Sequence, residues 1–133
     1  MKVELFEKFN RKNKNYLKTK WSDFENTVTI HDIEDYLNSI ETPTKYISVN
    51  SIKNLCIHLG KTDKKTIKRS EESDLRYPII IIKNKDGEYE TILDGHHRLL
   101  KAINNGIKKI KSKILYIDDK STPKKFKDMF KRK

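Results

Sequence analysis

Hydrophobic and polar residues alternate most regularly in the second half of the chain. Pro78–Ile82 is the most apolar run and predicts a central strand that is buried on both faces. Asn84–Gly87 has the composition of a hairpin turn, and Tyr89–Leu93 alternates with the period of a returning strand. Residues 95–105 carry apolar side chains at helical spacing and end at Gly106. The pattern predicts a β-hairpin that leads directly into a helix.

Further elements are predicted on both sides of this hairpin. Apolar residues recur at helical spacing over Ile30–Ile40, and Tyr46–Asn50 alternates as a short strand. A strand is predicted over residues 110–116, and a last helix begins near Thr122–Pro123. The strand at Tyr46 is followed by a predicted helix, whose buried face comprises Ile52, Leu55, Cys56 and Leu59.

The order of these elements predicts a small mixed sheet flanked by helices, which is an α+β fold within the broad α/β class. Hydrophobic residues make up 35% of the chain and charged residues 37%, so the core should be modest. A single domain is predicted over residues 31–133, preceded by a basic arm at residues 1–30. Trp21 and Phe24 are interpreted as core anchors for the helix predicted over Ile30–Ile40.

The segment Lys61–Asp74 is polar and has no clear period, which predicts a loop before the central strand. Three of its residues, Glu71, Glu72 and Asp74, are candidates for an acid, a base or a metal ligand. His58, just upstream, lies one position beyond the predicted helical stripe and is interpreted as a surface or helix-end residue.

The residues Asp94-Gly95-His96-His97-Arg98, here called the box, lie at the predicted strand-to-helix junction. Asp94 is predicted to cap the helix, because its carboxylate can accept from a first-turn amide. The first-turn amides and the positive end of the helix dipole favour an anion, and phosphate is the expected one. His96 and His97 point about 100° apart, so one can turn inward while the other faces a ligand.

The box, followed by three apolar helical positions and a glycine, resembles the motif of the ParB/sulfiredoxin superfamily. The resemblance is sharp over Tyr77–Leu115 and fainter over Tyr46–Leu55, and it is closest to stand-alone ParB-like domains with a Gly-x-His-Arg box. It implies a ParB/sulfiredoxin-like fold. The superfamily includes DNA-partition proteins, nucleases, sulfinic acid reductases and small-molecule kinases, so the resemblance implies several activities.

The resemblance also implies roles for the box residues. Gly95, His97 and Arg98 match the positions that contact phosphate. His96 stands where sulfiredoxins carry their catalytic cysteine, which argues against sulfinic acid reduction because no thiolate is present there. Asp94, His96 and His97 are the candidate catalytic residues.

These features favour a nucleotide-binding phosphotransferase or nucleotide hydrolase. The expected cofactor is a nucleotide, with ATP, ADP and CTP all open, and a magnesium ion bridged by its phosphates is compatible with the box. A DNA-binding protein or ParB-like nuclease is the first alternative. A domain that senses a nucleotide without chemistry is the second.

The positive charge of the chain is concentrated near its end. The net charge is +11, and residues 101–133 carry twelve basic and three acidic groups. Lys111 and Lys113 lie on one face of the strand predicted over residues 110–116. Lys109, which directly precedes it, lies on the same face. That row of lysines either protects an exposed sheet edge or contacts a nucleic-acid backbone.

The expected setting is the cytoplasm. No apolar run approaches the roughly 20 residues that span a membrane, and the first residues contain no signal-peptide core. The single cysteine, Cys56, is interpreted as a core residue, and one cysteine cannot form an internal disulfide. Composition leaves the oligomeric state open.

Overall fold

The computed structural model describes residues 20–22 and 27–130, so Phe24 and most of the predicted basic arm lie outside the described residues. The strands are β1 (Lys20–Ser22), β2 (Thr27–Thr29), β3 (Lys45–Ser48), β4 (Ile79–Lys83), β5 (Tyr89–Asp94) and β6 (Lys109–Tyr116). The helices are α1 (Ile30–Ser39), α2 (Val49–Ile52), α3 (Lys64–Glu72), α4 (His96–Asn104) and α5 (Lys124–Phe130). Within the described ranges, every helix is too short and too polar to cross a membrane.

The main sheet has four strands in the order β3-β6-β4-β5. β4 is antiparallel to β5 and parallel to β6, and β6 is antiparallel to β3. β1 and β2 form a separate antiparallel pair. The sheet is mixed and flanked by helices, so the predicted α+β class is confirmed.

The isoleucines of β4 are buried on both faces of the main sheet, as predicted. Ile79 and Ile81 pack in one core with Leu99 of α4. Ile80 and Ile82 pack in a second core with residues of α1 and α5. Successive strand residues point to opposite faces, so a strand buried on both sides is apolar throughout.

The predicted hairpin between β4 and β5 is also confirmed. Asn84 N donates to Glu88 O at 2.9 Å, and Gly87 N donates to Asn84 O at 3.1 Å. Gly87 has φ +82°, a conformation that glycine adopts without steric cost. The turn directs β5 back along β4 and places the box at the end of β5.

The prediction of a loop over Lys61–Asp74 is wrong, because this segment contains α3. Asp63 caps that helix by accepting from Thr66 N at 3.0 Å. α3 has only one apolar residue, and so shows no apolar stripe in the sequence. The helix packs instead on α4 and buries Ser70, whose hydroxyl donates to Ile67 O at 2.8 Å.

The helix predicted after β3 is wrong in its length. α2 ends at Ile52, a 3-10 helix covers Lys53–Leu55, and Leu59 is 43% exposed. Cys56 is buried as predicted, but its backbone is extended and its thiol donates to His96 O at 3.6 Å. Contacts with the start of α4 replace the helical hydrogen bonds that the sequence pattern favours.

The two roles predicted for the β6 lysines both stay predictions. By strand order β6 lies between β3 and β4, and the edge strands of the main sheet are β3 and β5. Along its length, however, β6 pairs with β3 over Lys109–Ser112 and with β4 over Ser112–Tyr116. Lys109, Lys111 and Lys113 therefore each have a partner strand on one side only.

Candidate functional site

The box lies where β5 ends and α4 begins, as predicted. Gly95 separates the two elements and has φ +102°. A Cβ placed on Gly95 would lie 2.5 Å from Ile79 Cγ2, well inside van der Waals contact. Both the backbone conformation and the close approach of β4 therefore require glycine at this position.

The prediction that Asp94 caps α4 is wrong. The cap residue is Gly95, and among the residues that the structure describes no side chain caps the first-turn amides. Asp94 is one residue too early, and its Oδ2 accepts from Arg98 Nη2 at 2.9 Å. The amides at the start of α4 therefore have no side-chain cap, although a side-chain acceptor often satisfies one of them.

Arg98 is buried beneath this turn, with 9% of its surface exposed. Its Nη1 donates to Pro78 O at 2.7 Å and its Nη2 pairs with Asp94. The guanidinium thus joins the start of β4, the end of β5 and the first turn of α4. This geometry makes Arg98 a positioning residue, and direct contact with a phosphate would require its release from these partners.

Three of the four histidines of the chain meet beside the start of α4, and they are here called the histidine cluster. The rings of His58 and His97 are 4.2 Å apart between centroids and tilted by 33°. The ring of His96 lies 6.2 Å from that of His58 and is nearly perpendicular to it. His58 is half-buried, so its interpretation as a surface residue is wrong. The segment after the 3-10 helix brings His58 next to α4. The contact between His58 and His97 is long-range, so the local hydrophobic pattern could not predict it.

Burial and mutual repulsion keep the histidine cluster neutral. Burial, with smaller contributions from the nearby His58, Arg69 and His96, lowers the pKa of His97 to about 4. Burial also lowers the pKa values of His58 and His96. At pH 7 each ring therefore has one N–H donor and one acceptor nitrogen.

Two hydrogen-bonding details define how the cluster can act. Ile57 N donates to His96 Nδ1 at 3.4 Å, which assigns the ring proton of His96 to Nε2. His58 Nδ1 is buried and has no hydrogen-bond partner within the described residues. His96 is also hydrogen-bonded to the backbone of Ile92, so the cluster combines a ring held on both sides with an unsatisfied ring nitrogen on His58.

The acidic candidates upstream are not part of this arrangement. Glu71 and Glu72 are exposed on α3, and within residues 20–22 and 27–130 no hydrogen bond or ion pair joins them to the box. Asp74 pairs with Arg76 at 2.8 Å, and the hydrogen bonds from Arg76 lower the pKa of the Asp74 carboxyl. Ser73 makes the contact with the box, because its hydroxyl donates to His97 O at 3.3 Å.

Lys109, Lys111 and Lys113 lie on the face of the main sheet opposite α4. Lys113 pairs in register with Ile80, which belongs to the core shared with α1 and α5. Lys113 Nζ donates to Asn38 Oδ1 at 3.3 Å. The structure therefore separates the lysines from the box.

The described residues contain no group of three histidine, cysteine, aspartate or glutamate side chains arranged to hold a metal ion.

A separate cavity of about 390 Å³ lies at the opposite end of β4 and β6. It is here called the distal cavity, and none of the candidate site residues predicted from the sequence lines it. Its lining comprises Lys83, Asn84, Lys85, Gly87, Tyr116, Asp118 and Asp119.

Comparisons with known proteins assign no family to this chain. No known protein family matches it, and no solved structure matches it. An uncharacterized protein of Methanocaldococcus jannaschii is 43% identical over 44 residues, which are 33% of this chain and 17% of that protein. The matched segment spans only a small part of the relative. The resemblance to the ParB/sulfiredoxin superfamily stays a prediction.

Proposed function

We propose that this protein is a ParB-like domain that binds the phosphates of a nucleotide at the start of α4 and hydrolyses or transfers the terminal phosphoryl group. One observation carries the proposal: α4 begins at Gly95 without a side-chain cap, and the histidine cluster surrounds that start. Free first-turn amides and the helix dipole together attract phosphate oxygens.

The charges around this helix start also favour an anion. A free carboxylate at Asp94 would repel phosphate, but the guanidinium of Arg98 compensates its charge. Arg69 is close enough for its positive charge to lower the pKa values of His58 and His97. A phosphate bound there would meet a positive local potential.

The histidine cluster supplies groups that can bind phosphate and move a proton. His96 is held by Ile57 N at Nδ1 and by a hydrogen bond to the backbone of Ile92, so its ring shapes the site. His97 is neutral and a weak base with its pKa near 4. A bound phosphate raises the pKa of a neighbouring histidine, which brings His97 closer to the range useful for acid–base catalysis.

Hydrolysis at this site would proceed by attack of water on the terminal phosphorus. The bond to the bridging oxygen breaks, the nucleoside diphosphate departs, and His97 accepts the proton that the attacking water loses. The helix amides stabilise the charge on the transferred group. Magnesium, held by the nucleotide phosphates, supplies further charge neutralisation when bound. Asp94 and Arg98 position the turn and do not touch the reacting atoms in this scheme.

The test is calorimetric titration with ATP, ADP and CTP, with and without magnesium, together with an assay of phosphate release. His97→Gln should weaken nucleotide binding about threefold to tenfold, the effect of one lost hydrogen bond, and should reduce turnover more strongly. His31→Gln, on α1, is the matched control and should change neither quantity.

The outcomes separate the parts of the proposal. Binding without phosphate release would remove the enzymatic part and leave a nucleotide-sensing domain. Failure of the wild-type protein to bind any of the three nucleotides, or equal effects of the two histidine variants, would contradict the proposal itself.

A further inference from the structure

A patch on the main sheet, on the side away from α4, combines an aromatic ring with basic side chains. It is here called the Tyr46 face and consists of Tyr46, Ser48, Lys109 and Lys111. The register pairs Tyr46 with Lys111 and Ser48 with Lys109. Between them, Ile47 pairs with Ile110, and both belong to the core under α4. Alternation along the strands therefore directs the Tyr46 face to the opposite side of the sheet.

Tyr46 is 63% exposed, which is unusual for a large aromatic residue on a sheet. Ser48 and Lys109 are also exposed, and Lys111 is half-buried. The second core covers this side of the sheet farther along β6, at Leu115. The aromatic ring therefore contributes little to folding.

The two strands that carry the Tyr46 face contribute only basic charges to it. Neither β3 nor β6 contains an acidic residue, and the next lysine of the row, Lys113, donates to Asn38 instead. Cross-strand neighbours have Cβ atoms about 5 Å apart, and lysines two residues apart along one strand are separated by about 7 Å. A stacking surface is thus flanked by positive charges that can move to meet successive phosphates.

We infer that the Tyr46 face binds single-stranded nucleic acid, with a base stacked on Tyr46 and the backbone phosphates paired with Lys109 and Lys111. Stacking on a protruding ring requires a base with a free face, which a single strand offers and an intact duplex does not. The positive charge favours a polyanion over a neutral or basic partner. This inference is independent of the proposed nucleotide site, because the two lie on opposite sides of the sheet.

Fluorescence anisotropy with a labelled dodecathymidylate tests the inference between 50 and 200 mM salt. Tyr46→Ala should weaken binding by roughly fivefold to a hundredfold, the range for one lost stacking contact, whereas Tyr46→Phe should retain most of the affinity. The double variant Lys109→Gln, Lys111→Gln should make the slope of log affinity against log salt concentration shallower by about 1.4. Each lysine is expected to release about 0.7 counterion from a single strand.

Matched controls are available on β6 and in the segment that follows it. Tyr116→Ala removes an exposed aromatic of β6 that points to the opposite face, and Lys120→Gln removes an exposed charge. Neither should alter affinity appreciably. Tyr46→Ala should leave nucleotide binding unchanged, so failure here and failure of the proposed nucleotide site are distinguishable.

Three results would overturn the inference. The wild-type protein could fail to bind the oligonucleotide at 50 mM salt, or Tyr46→Ala and Tyr116→Ala could bind it with equal affinity. The third result is that the wild-type protein binds a duplex more tightly than a single strand of the same length. The last result would assign the lysines to general attraction for DNA, without a stacked base.

Discussion

Arg98 Nη2 donates to Asp94 Oδ2 at 2.9 Å and thereby ties the first turn of α4 to the last residue of β5. The pair is largely buried, and the second guanidinium nitrogen reaches Pro78 O at the start of β4. Three backbone segments meet at one side chain. The pair holds Gly95 in place and neutralises a carboxylate that would otherwise oppose anion binding at the helix start.

We expect Arg98→Ala to lower the free energy of unfolding by about 3 kcal/mol, because removing one partner of a buried pair leaves the other charge uncompensated. Urea denaturation measures this change. The matched control is Arg76→Ala, which breaks an exposed pair with Asp74 and should cost less than about 1 kcal/mol. Similar costs for the two variants would show that the Arg98 pair does not hold the turn.

Gly95→Ala should be more destabilising than Gly87→Ala. Both glycines have positive φ, so each substitution should cost about 1 kcal/mol in backbone strain. Only at Gly95 would the new Cβ also collide with Ile79, whereas nothing lies within 4 Å at Gly87. Overpacking of this kind adds about 1–3 kcal/mol. Equal losses in urea denaturation would mean that β4 shifts freely and that the close approach is not required.

The histidine cluster should make stability fall in mildly acidic solution. The pKa values of His58, His96 and His97 are lowered in the folded protein, so the unfolded chain binds more protons below its histidine pKa of about 6.5. Stability from these groups is complete above that pH and is lost as the pH falls toward about 4, the pKa of His97. Urea denaturation at several pH values between 7 and 4.5 measures the decline.

His97→Gln should show a shallower decline over this range, because its side chain cannot take up a proton. The control His31→Gln should follow the wild-type protein. Acidic residues with lowered pKa values, such as Asp74, add a loss of stability at still lower pH, which all three proteins share. Identical declines for wild type and His97→Gln would contradict the described environment of His97.

The hairpin and the box could be predicted because their information is local. The apolar run of β4, the turn at Asn84–Gly87 and the alternation of β5 each specify structure within a few residues. The helix after the box follows from its own apolar stripe. Even here one detail depended on a single residue: Gly95, rather than Asp94, became the cap, and the carboxylate paired with Arg98.

The errors arose where tertiary contacts decide the outcome. α3 is nearly devoid of apolar residues and forms because it is capped by Asp63 and packs on α4. His58 joins the box through a chain reversal after the 3-10 helix, which no periodicity announces. The interior position of β6 depends on strand order, so the sequence alone could not distinguish a sheet edge from an exposed sheet face. The strand-to-helix junction at the box was therefore predicted correctly, whereas the neighbours that tertiary contacts bring to it were not.

The most direct test of the central claim is the position of a bound nucleotide, measured by amide chemical shifts in isotopically labelled protein during titration with ATP and magnesium. We predict that the largest shifts occur at the amides of Gly95, His96 and His97, with a smaller response at Ile57. The largest shifts should not fall at the distal cavity or on the Tyr46 face. Shifts centred on either of those surfaces, or none at millimolar ATP, would contradict a phosphate site at the start of α4.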